Sequence, residues 1–220
     1  VTLDGLEFHN VGTSNRRDYA AVRVRGSRHF TIKNLIIRQP FFGIYLEKSS
    51  YGKVYNNQIY GNAVSEFYAG NGIRLWYAHY IEIFNNTIYQ VRDGIYLEFS
   101  NNCTIGNNVS KNNVRYGLHF MFSNNDIVRN DRYENNGAGI AIMFSKDMEA
   151  SDNYFMDNWG SAVYGMLLKE VYDAKITNNV FLRNTAGIFV EGCSRILYEY
   201  NDFESNGWAI YSRGANYENN

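Results

Sequence analysis

Several features that would place the chain at once in a protein class are scarce or missing. Basic and acidic residues number 21 and 22, so no strong field exists to gather nucleic acid or an anionic membrane. There is no long apolar run and no basic leader, so neither a transmembrane helix nor a signal peptide is predicted. Because the pattern is under way at Val1 and still running at Asn220, we expect residues 1–220 to be one domain from a longer mature chain.

Proline and cysteine are also scarce. Pro40 is the one proline, and with 16% aromatic residues and frequent asparagine this suits short strands joined by Asn and Gly turns. The two cysteines, Cys103 and Cys193, fall four coils apart in the repeat described below. That separation is roughly 19 Å at about 4.8 Å per coil, and a disulfide needs Cα atoms within about 7 Å. Two free, mostly buried thiols are predicted, and a metal clip joining them is excluded on the same ground.

What the sequence has in abundance is a repeat of about 22 residues. A small residue followed by apolar-x-apolar recurs at Ala21, Gly43, Gly72, Gly94, Gly117, Gly139, Gly165 and Gly187. Asparagine keeps phase with this anchor at Asn57, Asn86, Asn108, Asn130, Asn153, Asn179 and Asn201. A second asparagine follows five residues later at Asn62, Asn113, Asn135, Asn158, Asn184 and Asn206.

The repeat predicts an all-β fold. A single coil cannot bury its apolar face, whereas stacked coils can, by pairing as parallel strands. We therefore predict a right-handed parallel β-helix of about ten coils. The asparagines are predicted to be structural, each bonding to the one above and below inside a turn. Extra residues at 63–69 and 159–163 fall at the same corner, where insertions often frame a binding surface.

The outward side of the anchor strand carries the candidate site. With the anchor as position zero, positions one and three are apolar and face the core, so positions two and four are expected to face solvent. Met121 and Met143 share position four on adjacent coils, and His119 lies two residues before Met121 on the same face. Thioethers with an imidazole select copper, especially Cu(I). Glu98, one coil below Met121, is predicted to be a fourth ligand or a supporting partner.

Two other interpretations of this face stay open. His119 could be an ordinary exposed histidine, with the methionines forming part of a docking platform for a protein. Alternatively the face could bind or modify polysaccharide, as a lyase or epimerase does, since aromatic residues alternate with charges at Tyr45, Trp76, Tyr96 and Phe189. Glu47 and Glu98 lie two coils apart, near 10 Å, which is marginal for a pair of catalytic carboxylates. No tight cluster of Asp, Arg and Lys is evident.

At the coils carrying these residues the chain resembles a known family, NosD, accessory proteins of nitrous oxide reductase maturation. The resemblance is carried by Tyr116-Gly117-Leu118-His119-Phe120-Met121-Phe122-Ser123 and by residues 136–145 and 164–170. Similar stretches are residues 70–76, 92–99, 183–187 and 206–209, so the resemblance runs from about Gly70 to Ala209. Before Gly70 only the coil pattern agrees.

The resemblance implies a periplasmic protein that is not an enzyme. Such proteins act with an ABC transporter, which has an ATPase and a membrane subunit, in assembling the copper-sulfur centre of nitrous oxide reductase. They are expected to receive copper from a lipoprotein chaperone and to dock the reductase, and no nucleic acid is involved. On this interpretation His119, Met121, Met143 and Glu98 hold loosely bound copper. Trp76, Tyr96, Lys169 and Trp159 are expected to meet a partner.

Overall fold

The chain forms a parallel β-helix in which short strands stack coil upon coil. The computed structural model describes residues 1–12, 14 and 17–214. In that part of the chain, strands of successive coils pair in parallel, and the stack has about nine turns of about 22 residues. The predicted fold class is confirmed.

Three strips of strands run along the described part of the stack. Strip A carries the anchors and consists of Ala20–Arg25, Phe42–Glu47, Ile73–Trp76, Ile95–Glu98, Tyr116–Met121, Ala138–Ser151, Tyr164–Thr177, Ala186–Glu191 and Trp208–Arg213. Strip B consists of Thr2–Asp4, Thr31–Lys33, Lys53–Tyr55, Glu82–Phe84, Thr104–Gly106, Ile127–Arg129, the second halves of Ala138–Ser151 and Tyr164–Thr177, and Ser194–Glu199. Strip C consists of Glu7–His9, Ile36–Arg38, Gln58–Tyr60, Thr87–Tyr89, Val109–Lys111, Arg132–Glu134, Tyr154–Met156, Val180–Leu182 and Asp202–Glu204.

Both insertions lie at the corner between strips C and A, as predicted. The first contains a short 3-10 turn, Glu66–Tyr68, and leads from Gln58–Tyr60 into Ile73–Trp76. The second, residues 159–163, precedes Tyr164–Thr177. Among the described residues, no helix has the length and apolarity needed to cross a bilayer.

The anchor is small because the coils approach each other closely there. Positions one and three point into the core, as Ile95 and Leu97 show with no exposed surface. A Cβ atom added at Gly117 would lie 2.6 Å from the carbonyl oxygen of Gly139 in the next coil. A larger residue would therefore force adjacent coils apart, which explains the recurrence of glycine at this position.

The asparagine columns form the predicted ladders, with three corrections. Asn62 does not belong to a ladder, because it is exposed and the next coil has Val91 at the corresponding position. Asn57 Nδ2 donates to Asn86 Oδ1 at 2.9 Å, and the pattern repeats up the stack. Asn130 and Asn135 were placed in the ladders wrongly: both adopt left-handed turn conformations, with φ of 57° and 52°. Asp131 and Asn136 take the ladder positions, because the ladders keep fixed spacings from the anchor of their own coil.

Both cysteines match their prediction. Cys103 and Cys193 are free and buried. They also occupy different columns, since Cys103 follows its anchor Gly94 by nine residues and Cys193 follows Gly187 by six. Burial raises the pKa of each thiol, so both are protonated at neutral pH and inert.

Candidate functional site

The thioethers of the candidate site lie side by side on strip A. Met121 pairs in register with Met143 on the next strand and with Glu98 on the previous one. Adjacent strands are about 4.8 Å apart, so the three side chains form one outward column. Met121 and Met143 are half-buried, and Met143 also packs against an apolar cluster that includes Leu167 and Phe189.

His119 lies in the neighbouring column, at position two, but it does not face solvent. Its side chain points away from the core yet is only 2% exposed. The imidazole stacks on Tyr96 with ring centroids 4.6 Å apart and meets the edge of Tyr116 at 4.8 Å. The predicted solvent exposure of position two is therefore wrong along much of the strip, where the buried residues are Tyr45, Tyr96, His119, Ala141, Leu167 and Phe189. Bulky neighbours in adjacent coils and at the preceding corner cover the column.

The imidazole of His119 has no hydrogen-bond partner at either ring nitrogen. Buried polar atoms are nearly always hydrogen-bonded, so an imidazole without a protein partner is a candidate ligand-binding group. Burial lowers the pKa of His119 to about 4, with the nearby charges of Asp93 and Arg115 as smaller influences. The ring is therefore neutral at neutral pH, and one nitrogen keeps a lone pair that no proton competes for.

Glu98 is held by an ion pair. Its Oε2 accepts a hydrogen bond from Arg74 Nη2 at 3.1 Å. The guanidinium of Arg74 lies between the rings of Tyr45 and Tyr96, at 5.4 and 5.2 Å from their centroids. Because one carboxylate oxygen is already used, Glu98 fits the supporting role better than that of a free ligand.

A polar cluster that sequence reasoning missed lies at the corner just before the anchors. Asp93 has no exposed surface, and its Oδ2 accepts from Asn71 Nδ2 at 2.7 Å and from Arg92 Nε at 3.3 Å. Arg115 Nε lies 3.5 Å from Asp93 Oδ1, which has no hydrogen-bond partner. This cluster contains no lysine and lies before the anchor, outside the outward column in which a cluster of Asp, Arg and Lys was sought. The available signal was that Arg92 and Arg115 precede their anchors by the same two residues in adjacent coils.

The four predicted docking residues are not equally accessible. Trp159, in the second insertion, is 62% exposed. Trp76 is half-buried beneath the ammonium of Lys48, 5.2 Å from its ring centroid, and Lys169 pairs with Glu191 at 3.4 Å. Tyr96 is buried, so its expected exposure is wrong. With Tyr45 and Phe189 also buried, the exposed aromatic platform expected for sugars does not form.

Among the described residues, no three His, Cys, Asp or Glu side chains come together in a way that could hold a metal ion. A metal site on strip A therefore depends on the thioethers. The donors that fit are the unpartnered imidazole of His119 and the sulfur atoms of Met121 and Met143. This donor set is soft, and it suits Cu(I) rather than zinc or a hard cation.

Fold and site together define a parallel β-helix whose outer face carries an unpartnered imidazole beside two thioethers. The chain belongs to the NosD family: the sequence model of that family, described as periplasmic copper-binding protein, matches residues 55–220. The match confirms the resemblance seen in the sequence. No curated protein sequence gives a significant match to the chain.

Solved structures similar to the chain are parallel β-helix proteins. The periplasmic alginate epimerase AlgG superposes with a TM-score of 0.68 at 15% identity over 92% of this chain, and the chain spans about half, 50%, of that protein. The A-module of mannuronan C-5 epimerase AlgE4 from Azotobacter vinelandii gives 0.61 at 15% identity, over 87% of this chain and 64% of that one. An alginate lyase from Paenibacillus sp. gives 0.67 at 13% identity, over 90% and 76%. At such low identity these likenesses establish the fold alone.

Proposed function

We propose that the chain is a periplasmic copper carrier that takes part in assembling the copper-sulfur centre of nitrous oxide reductase. The observation that carries the proposal is His119, a buried imidazole with no hydrogen-bond partner, beside Met121 and Met143. Membership of a family described as copper-binding supports it. Copper is cargo here, received from a lipoprotein chaperone and passed on with the help of an ABC transporter.

The donor set suits transient holding. Cu(I) accepts thioether and imidazole ligands, and no thiolate is present to bind it tightly, since both cysteines lie buried elsewhere. The neutral state of His119 means that binding releases no proton from this residue at neutral pH. Glu98, fixed by Arg74, holds a negative charge one strand from Met121 without competing as a strong ligand.

The test is an anaerobic Cu(I) competition titration of the parent chain and two variants. Met121→Leu/Met143→Leu removes both thioethers while keeping the side-chain volume. Met156→Leu/Met166→Leu, the matched control, makes the same change at one half-buried and one buried methionine outside this column. We expect about one Cu(I) per parent chain, the same for the control, and at least tenfold weaker binding, about 1.4 kcal/mol, for the site variant.

Two results would contradict the copper proposal. One is a parent chain that takes up no Cu(I) when the competing chelator is weak. The other is equal binding by the site variant and the control, which would mean that the metal sits elsewhere. In either case Met121 and Met143 would be better explained as contacts for a docked protein.

Docking to the reductase or the transporter is a separate step with its own test. Trp159 is the exposed member of the predicted docking set, whereas Trp76 and Lys169 are half-buried. Trp159→Ala is expected to weaken binding of the purified reductase by about tenfold while leaving Cu(I) uptake unchanged, because exposed aromatic anchors dominate protein interfaces. Surface plasmon resonance with immobilised reductase measures this, and unchanged affinity would remove Trp159 from the interface.

The alternative is a polysaccharide-binding or polysaccharide-modifying β-helix. The cluster of Asp93, Arg92 and Arg115 beside His119 favours it, and proteins with a similar fold include alginate epimerases and a lyase. Against catalysis stands the imidazole, because a base with a pKa of about 4 is weak at neutral pH. Incubation with alginate, followed by proton NMR for C5 inversion or unsaturated ends, separates the two. Product formation abolished by His119→Phe would favour the alternative.

A further inference from the structure

An exposed stack of aromatic rings follows strip A along its edge. We name the four residues at position five, Tyr77, Phe99, Phe122 and Phe144, the aromatic ridge. Consecutive ring centroids lie 4.9, 5.1 and 5.1 Å apart, with interplanar angles of 18°, 7° and 20°. Tyr77, Phe122 and Phe144 are 42%, 42% and 41% exposed. Because the ring faces cover one another, the ridge presents ring edges to solvent.

The backbone at these positions does not call for aromatic residues. All four adopt a left-handed conformation with φ between 50° and 52°, which is unfavourable for bulky side chains. In outer coils the same position is held by Gly26 (φ 60°), Gly192 (φ 65°) and Gly214 (φ 60°), which suit the conformation. Stacking of the rings offsets part of the conformational energy of these left-handed residues, yet it leaves an apolar strip exposed to water. An exposed apolar strip of this kind indicates a contact surface.

The charges at the two ends of the ridge identify the partner. In the same column Lys48 precedes Tyr77 by one coil, and Glu170 follows Phe144 by one coil. The column therefore has one basic residue, four aromatic residues and one acidic residue. A two-fold axis midway between Phe99 and Phe122 exchanges the two halves of the ridge and brings Lys48 opposite Glu170.

The neighbouring column, at position four, obeys the same symmetry. The axis that exchanges Phe99 with Phe122 brings Glu47 opposite Lys169 and Arg25 opposite Glu191. Each of these pairs joins opposite charges, although all four residues are already paired within their own chain, Arg25 with Glu47 and Lys169 with Glu191. Lys48 is exposed, so the pair with Glu170 is the one best placed to act between chains.

We propose that the aromatic ridge binds a second copy of this chain in antiparallel orientation, with Lys48 of each chain opposite the partner's Glu170. Two ridges contact each other through ring edges and the flanking thioether and tryptophan side chains. A sugar chain is the poorer occupant, because sugars stack on ring faces and these faces are already covered. The ridge spans four coils, about 15 Å, so the interface is small and the dimer is weak, with a dissociation constant in the micromolar range or above.

The test uses sedimentation equilibrium of charge variants of the chain. Lys48→Glu alone places two glutamates opposite each other at both ends of the dimer, and Glu170→Lys alone places two lysines there. Each variant is expected to dimerise at least about tenfold more weakly than the parent, because like charges at an interface repel. An equimolar mixture of the two variants restores both opposite-charge pairs in the heterodimer, so association is expected to return to the parent level.

Two glycine variants test the ridge itself. Phe122→Gly removes a ring where φ is 52°, a conformation that glycine adopts without strain, and is expected to abolish dimerisation. Tyr80→Gly, the matched control, removes an exposed ring at φ 56° from the separate stack with Tyr51 and is expected to leave dimerisation unchanged. A parent chain that stays monomeric up to about millimolar concentration, or a charge-variant mixture that stays monomeric, would overturn the proposal.

Discussion

The asparagine ladder and the outer face of strip A both bury polar side chains, but the outer face leaves some of them without a partner. Asn153 accepts from the Asp131 amide and donates to Val128 O and Asn179 Oδ1, so its amide is fully used. On the outer face, Asp93 Oδ1 and both nitrogens of His119 have no partner. A saturated buried polar group stabilises the fold, whereas an unsatisfied one weakens it and keeps binding capacity free. The comparison separates structural polar residues from candidate functional ones.

The largest expected effect comes from breaking the ladder. Asn153→Ala leaves the Asp131 amide without its acceptor and removes one donor each from Val128 O and Asn179 Oδ1, although Asn179 Oδ1 still accepts from the backbone amide of residue 153. The free energy of unfolding is expected to fall by about 2–5 kcal/mol, since a buried orphan costs about 1–3 kcal/mol and each lost hydrogen bond about 0.5–1.5 kcal/mol. Urea denaturation followed by circular dichroism measures it.

The control for this prediction is Asn62→Ala. Asn62 occupies the same position in its coil as the ladder residues Asn113 and Asn136, but it is exposed. The next coil has Val91 at that position instead of asparagine. The expected change is under about 0.5 kcal/mol. Equal effects at Asn153 and Asn62 would contradict a stabilising role for ladder hydrogen bonds.

The second effect concerns Asp131, the acidic residue in the ladder that also contains Asn57, Asn86 and Asn108. Burial raises the pKa of Asp131 from 3.8 to about 7, although Oδ1 accepts from Asn108 and Oδ2 from Tyr133. Between these pH values the folded chain holds a proton that the unfolded chain has lost. The free energy of unfolding therefore decreases as pH rises from about 4 to about 7, by roughly 1.4 kcal/mol for each pKa unit.

Asp131→Asn/Tyr133→Phe tests this pH dependence. The amide of Asn completes the ladder, and Phe removes the hydroxyl that would otherwise lose its acceptor. The variant is expected to show a smaller loss of stability than the parent between pH 4 and pH 8 in urea titrations, approximately by the Asp131 contribution. Identical pH profiles would mean that Asp131 ionises normally inside the ladder.

The smallest effect on stability is expected at His119. His119→Phe keeps a ring to stack on Tyr96 and Tyr116 and removes two unpartnered polar atoms. The free energy of unfolding is expected to change by less than about 1 kcal/mol, while Cu(I) affinity falls at least tenfold. A loss of stability as large as that of Asn153→Ala would assign His119 to the fold instead of to a ligand.

The ladders show how far sequence reasoning reaches and where it fails. Their existence and position within the coil follow from the period alone. Two members were misplaced by one residue, because Asn130 and Asn135 precede the true ladder residues Asp131 and Asn136 and have the expected residue type. Counting from the anchor of each coil, instead of following asparagine, would have found Asp131, whose carboxylate accepts the same hydrogen bonds.

The outer face was predicted less well. Register placed Glu98, Met121 and Met143 in one column correctly, because pairing in a parallel stack follows from the repeat. The solvent exposure of these side chains could not be predicted from the repeat. Whether His119 and Tyr96 contact water depends on the size of the side chains in the coils above and below. The Asp93 cluster was missed for the same reason: its members come from different coils and from the corner, not from one strand.

The β-helix, the core positions, the ladders and the pairing of the two thioethers can all be predicted from the sequence, because they repeat with a period of about 22 residues. The three-dimensional packing alone reveals that His119 is buried and unpartnered, that Arg74 holds Glu98, and that four rings, three of them exposed, stack between a basic and an acidic end. Periodicity fixes which residues are neighbours. Burial and the lack of a partner depend on everything that surrounds those neighbours, which no single repeat contains.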